Sequence, residues 1–145
     1  MSAQDRLFGK KMDESTAKSA IQNLQATADE CVKRFKDVFD IQLDFSEESL
    51  QRLDKLISEI DKPPTNLNLV VTELGSYLGE MLVRNLHGRW IVYETLFHSA
   101  IALDKEGETT FYPFHKVYKR FTKGSEESLW YFYWSAKQAA INLER

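Results

Sequence analysis

Cysteine is nearly missing from this chain of 145 residues, where Cys31 stands alone. No intrachain disulfide can form, which excludes a disulfide-stapled fold and fits a reducing compartment. No run of residues approaches the roughly 18 consecutive apolar positions of a transmembrane helix. The opening MSAQDRLFGKKMDEST has no apolar stretch of the secretory kind. A cytoplasmic protein with no membrane partner is the expectation. A dominant charge is lacking too: 19 Lys and Arg against 22 Asp and Glu give a net charge of −3. The whole-protein field therefore attracts neither nucleic acid nor anionic lipid.

The chemical signatures are equally sparse. There is no GxGxxG or GxxxxGK[ST] loop to cradle phosphates, no GxSxG elbow and no CxxC pair. His87, His98 and His115 are too far apart in sequence to form an i, i+4 ligand pair. Cys31 falls on an apolar helical stripe between Ala28 and Phe35, where it serves as a small buried hydrophobe. No catalytic residue, no cofactor and no metal site is expected.

What the chain does contain is the material of one ordinary globular domain. Hydrophobic residues make up 43% and charged residues 28%, enough apolar surface for a core without a staple. Residues 1–13 are aperiodic and read as a loose arm, leaving 14–145 as a single domain. From Glu14, Ala17, Ile21, Leu24, Ala28, Cys31, Val32, Phe35, Val38 and Phe39 recur at helical steps. Ser46 is a good N-cap for a second helix carrying Leu50, Leu53, Ile57 and Ile60, ended by Pro63-Pro64. A third helix from about Thr65 to Leu86 is apolar on more than one side, which marks it as central. Gly75 and Gly79 would let another element approach it, and Gly88 suits the left-handed position at its end.

Arg89–Tyr93, a segment within Phe97–Leu103, and Thr109–Tyr112 have the aromatic and β-branched character of strands. The polar turn 104–108 separates the last two. A short helix with Phe114, Val117, Tyr118 and Phe121 follows, then a last helix that Ser125 would cap. The fold class is α+β: about five helices packed on a small antiparallel three-stranded sheet formed by residues 89–112.

Three groups of residues are candidates for function. Glu73, Tyr77, Glu80 and Arg84 form one polar row on the third helix, and Arg89, Trp90, Tyr112 and His115 would complete a ligand cleft beside it. An ordinary Glu80–Arg84 helical pair accounts for the same row. Lys116, Lys119 and Arg120 interleave with aromatics in Tyr112–Lys123, a pattern compatible with single-stranded nucleic acid. There the cations lie on one helical face and the aromatics on the other, so a solvated basic face or an acidic protein partner explains it as well. The run Leu129–Trp134 covers every side of a helix, so Trp130, Tyr131 and Trp134 are candidate partner contacts unless the helix is wholly buried.

The words LGSYLGE (74–80) through Arg84, GRW (88–90), Tyr112-Pro113-Phe114 and Lys119-Arg120-Phe121 stand in this order. Over residues 70–124 the chain resembles a set of small bacterial proteins of unknown function that share an LGxYLGE…R helix, a GxW strand and a YPF…KR segment. The resemblance implies a fold and a bacterial or phage setting rather than a reaction. Small acidic α+β chains of this kind also include bacterial immunity proteins, an analogy of class. The expected function is a non-enzymatic, immunity-like or regulatory domain whose partner is a protein or a second copy of the chain, with nucleic acid not the expected partner. The alternative is a small-ligand or enzymatic site around Glu80, Arg84, Arg89 and Trp90.

Overall fold

The computed structural model describes residues 9–60 and 62–144. It is a single α+β domain in which five helices surround and flank a three-stranded antiparallel sheet. Helix α1 (Glu14–Phe39) starts where Asp13 accepts a hydrogen bond from the Thr16 N–H at 2.8 Å, offsetting one of the unpaired first-turn donors. It buries Leu24, Ala28, Cys31 and Phe35, spaced by four, three and four residues. The expected stripe ends there. Val38 and Phe39 lie on the surface, because the last turn of α1 projects beyond the core.

Helix α2 (Glu47–Ser58) is capped by Ser46, which accepts from the Ser49 N–H, and it buries Leu50, Leu53 and Ile57. Helix α3 (Leu67–Leu86) is the central element, packed against α1 and the later helices. Every residue from Glu73 to Leu82 is buried, so no single stripe describes it. Its end differs from the expectation. His87 takes the left-handed cap conformation with φ 59°, and Gly88 is required for a different reason. A Cβ on Gly88 would lie 2.4 Å from the Ile101 side chain, so the small residue admits the sheet.

The strands are β1 (Arg89–Ile91), β2 (Ala100–Ala102) and β3 (Thr110–Phe111), in that order, with Trp90 opposite Ile101 and Ile101 opposite Phe111. Strand β2 lies within the 97–103 segment as expected, and a 3-10 turn, Leu96–His98, precedes it. The Tyr93 N–H donates to Ser99 Oγ there, which bends the chain out of the ladder. Residues 10–12 run along the chain after β1. Met12 N–H donates to the Val92 carbonyl at 2.8 Å, and Glu94 N–H to the Lys10 carbonyl at 2.9 Å. This end of the arm is therefore tied down by backbone pairing; residues 1–8 lie outside the described residues.

Helix α4 (Pro113–Lys123) opens on Pro113, whose fixed φ suits the first helical position. Helix α5 (Leu129–Leu143) closes the fold and buries Leu129, Tyr133 and Ala136. The word SEESL stands at 46–50 and again at 125–129, and the two copies take different structures. Ser46 caps α2, whereas Ser125–Glu127 form a 3-10 turn and Ser128, not Ser125, caps α5 by accepting from the Tyr131 N–H. The difference has a tertiary cause: the Leu129 and Trp130 N–H groups are held by the Asp54 carboxylate of α2.

Candidate functional site

The polar row of α3 exists as a sequence of turns, but its members face different elements. Glu73 receives Arg34 Nε of α1 on both carboxylate oxygens at 2.9 Å. Tyr77 is fully buried. Its hydroxyl accepts from the Phe45 N–H at 2.8 Å and shares a hydrogen bond with Ser49 Oγ at 3.2 Å, while its ring stacks on Phe45. Burial pushes its phenol up to about 12. Glu80 is 1% exposed, with Trp90 Nε1 donating to one oxygen at 2.9 Å and Arg84 Nε to the other at 3.2 Å. The Arg84 guanidinium also lies over the Phe45 ring, 3.9 Å from its centre. These contacts bind α3 to α1, to the 40–46 connection and to β1. Among the described residues no buried side-chain nitrogen or oxygen lacks a hydrogen-bond partner.

Of the remaining cleft candidates, Trp90 meets that row through its bond to Glu80. Arg89 donates through Nη2 to the carbonyls of Asp104 at 3.0 Å and Lys105 at 2.6 Å, which secures the turn between β2 and β3. Trp90 packs its ring edge against Gly79 and its face toward Phe114. Both line an open groove of about 890 Å³ whose other wall is Lys10–Glu14 and the start of α1. Tyr112 stacks on His115 and lines, with Arg89, a second groove beside the 104–107 turn. The eight residues thus fall into separate places and do not converge on one cavity.

His98 and His115, 17 residues apart in sequence, do meet: His98 Nδ1 lies 2.8 Å from His115 Nε2. Their ring centroids are 5.0 Å apart, which leaves the two nitrogens nearly on the line between the rings. The lone pair of one therefore points at the N–H of the other, as in a hydrogen bond. A zinc-like ion needs about 2.0–2.1 Å to each nitrogen and could not sit between them, and no third metal-ligating group joins the pair among the described residues. Phe97, Tyr112 and Tyr118 surround the pair or its neighbours, forming an aromatic cluster between the 96–98 turn and α4. Burial first, then His98 and Lys119, hold His115 below its ordinary value of 6.5.

That shift has a definite sign. Above pH 6.5 the imidazole is neutral in both folded and unfolded chains, so nothing is lost. As the pH falls through the unfolded value, the unfolded chain takes up a proton that the folded chain resists, and stability declines. Thermal melting between pH 7.5 and 5.0 should show a falling Tm, and His115→Gln should flatten it. Equal slopes for the two proteins would show that the pair carries no linkage.

The basic face of α4 is not the solvated surface its spacing suggests. Arg120 is 5% exposed. It donates from Nε to Asp54 at 3.2 Å, and from Nη2 to the Asp54 carbonyl and to Ser58 Oγ. Lys116 is bonded to Glu127 at 2.6 Å. The cause is tertiary: Arg120 reaches Asp54 and Ser58 of α2 and Lys116 reaches Glu127 of the 125–127 turn, so two of the cations turn inward to carboxylates. Of the three candidates, Lys119 alone is exposed.

The aromatic run of α5 splits as a helix must. Leu129 and Tyr133 are buried. Trp130 is half-buried, its ring stacked along Tyr133, and Phe132 meets Phe111 edge to face. Tyr131 and Trp134 stay outside, 62% and 43% exposed, with their rings stacked 5.8 Å apart. Sequence reasoning missed Arg34, Ser49, Asp54 and His98. Each is a polar residue on a helix flank or in a turn, and no local spacing names its distant partner. No protein-family model, no curated protein and no solved structure matches this chain.

Proposed function

We propose that this chain is a non-enzymatic protein-binding domain that docks through the outward face of α5, in an immunity-like or regulatory role in a bacterial or phage cytoplasm. The observation that carries the reading is the stacked pair Tyr131 and Trp134, left on the surface of a helix whose Leu129 and Tyr133 are packed inward. Ile141 and Leu143 extend the apolar surface toward the C-terminal end. Tyrosine and tryptophan supply large contact areas with few rotamers to freeze, and they dominate binding energy at interfaces. The bacterial or phage setting rests on the resemblance over residues 70–124. The polar groups of α3 and β1 offer less support for the ligand-cleft alternative, because each is already bonded within the fold.

A tagged chain incubated in lysate of its native host should retain one stoichiometric protein, untagged copies of itself included. The double variant Tyr131→Ala, Trp134→Ala should lose it. Anchors of this type contribute about 2 kcal/mol each to binding, whereas surface changes away from such features shift stability by about 0.5 kcal/mol or less. A variant with an unchanged melting curve that still captures the same protein would sink the docking reading.

A further inference from the structure

We propose that the open edge of β1 binds an extended peptide by antiparallel strand pairing, with an apolar peptide residue opposite Trp90 and acidic residues on either side of it. This goes beyond the α5 reading and does not depend on it. The ladders fix which way the edge points. Leu103 N–H donates to the Thr109 carbonyl, so Ile101 and Leu103 turn their backbone groups to β3. Ala100 and Ala102 therefore bond β1, through Ile91 and Arg89. The N–H and C=O of Trp90 point the other way, as does the Val92 carbonyl that accepts from Met12. Neither Trp90 group has a hydrogen-bond partner among the described residues.

The chain itself shows that this edge takes a strand, since residues 10–12 pair along 92–94. It leaves the edge at Asp13, the cap of α1, and Trp90 is left facing the open groove. One residue of an added antiparallel strand meets both Trp90 groups, at the spacing that residues 10–12 already use two residues along. Residues opposite one another in such a pair share a face. A peptide residue opposite Trp90 turns to the side of Met12, Ala17 and Ile21, which line the groove and pack on the core, so an apolar side chain fits there. Its two neighbours turn to the other face, that of Arg89, Ile91 and, across from Tyr93, Lys11. Lys11 and Arg89 are exposed, and neither is in a salt bridge among the described residues. Of the acids lining the groove, Asp13 is turned to the Thr16 N–H and the Ser15 hydroxyl, and Glu94 stands where Lys10 already pairs. Glu14 is left against Lys10, Lys11 and Arg89. A second copy of the same edge fits poorly, because two-fold pairing at Trp90 would bring Lys11 and Arg89 of both copies to one face, where like charges repel.

An NMR titration of isotope-labelled protein with a peptide blocked at both ends, Thr-Glu-Val-Glu-Thr, tests it. The Trp90 amide proton should move downfield, and its exchange with solvent should slow at least tenfold at saturation. N-methylation of the valine, which removes the donor to the Trp90 carbonyl, should weaken binding at least tenfold. Thr-Lys-Val-Lys-Thr should bind several-fold more weakly than the acidic peptide. Lys11→Glu, with an unchanged melting curve, should narrow or reverse that preference. A Trp90 amide that does not respond to millimolar peptide overturns the proposal, as do equal binding of the N-methylated peptide and a charge preference indifferent to Lys11→Glu. Protection of the Trp90 amide that rises with protein concentration alone would give the edge to a second copy, and overturns it likewise.

Discussion

Asp54→Ala is expected to destabilise the domain by about 3–5 kcal/mol, the cost of leaving a buried charge without its partner. One oxygen of Asp54 accepts from Arg120 Nε at 3.2 Å and from the Leu129 N–H at 3.1 Å. The other accepts from Ser128 Oγ at 2.9 Å and from the Trp130 N–H at 2.7 Å. A single carboxylate on α2 therefore neutralises the guanidinium from α4 and satisfies first-turn donors of α5, whose positive dipole end also favours an anion. Without it, Arg120 remains 5% exposed with only a carbonyl and a hydroxyl to hold it. A domain of this size has roughly 5–15 kcal/mol in hand, and each kcal/mol moves Tm by about 2–4 °C. A loss of about 10 °C in calorimetry is the expected reading. Asp54→Asn, which keeps the shape and one acceptor, should fall between the two. A shift under about 2 °C for Asp54→Ala would show that the three helices hold together without this hub.

The second large effect is expected at Gly79. A Cβ there would stand 2.2 Å from Trp90 Cη2 and 2.4 Å from Cζ2. Alanine is the better helix former by about 1 kcal/mol, so propensity alone predicts a gain. The clash decides the sign. Trp90 is buried and its indole nitrogen is held by Glu80 at 2.9 Å, so the ring cannot swing aside without breaking that bond. Overpacking of this kind costs about 1–3 kcal/mol or more, and Gly79→Ala should lower stability by about 2 kcal/mol net. Chemical denaturation of Gly79→Ala, Trp90→Phe and the double variant separates the causes. The smaller ring removes the clashing atoms, so the double variant should be more stable than the sum of the two changes predicts, by at least 1 kcal/mol. Strict additivity would mean that the helix, not the indole, objects to the methyl group.

The two cases mark how far a sequence can be read. Ser46 and the apolar spacing of Leu50, Leu53 and Ile57 are local signals, and together they produce the expected element, because caps and periodicity act within a few residues. The small residues Gly75 and Gly79 announce close approach in the same way, and the structure supplies Phe114 and Trp90 as the approaching rings. Ser125 marks the reverse. It stands in the same SEESL word as Ser46, yet α5 begins three residues later, where a carboxylate from another helix holds the Leu129 and Trp130 N–H groups beside the Ser128 cap.

The candidate site follows the same division. That some residues of the 129–134 run face outward was legible in outline, since six large residues in succession cannot all lie on one side of a helix. Which of the six remain outside depended on where α2, α3 and α4 pack. The sequence by itself determined the α+β class and the order of helices and strands. The tertiary structure alone decided that Glu80 is buried against Trp90, that Arg120 pairs with Asp54 in the interior, that two histidines share a hydrogen bond, and that Asp54 joins three helices. Charge pairing and burial are set by distance in space, and residues 54, 120 and 129 come within bonding distance only when the chain is folded.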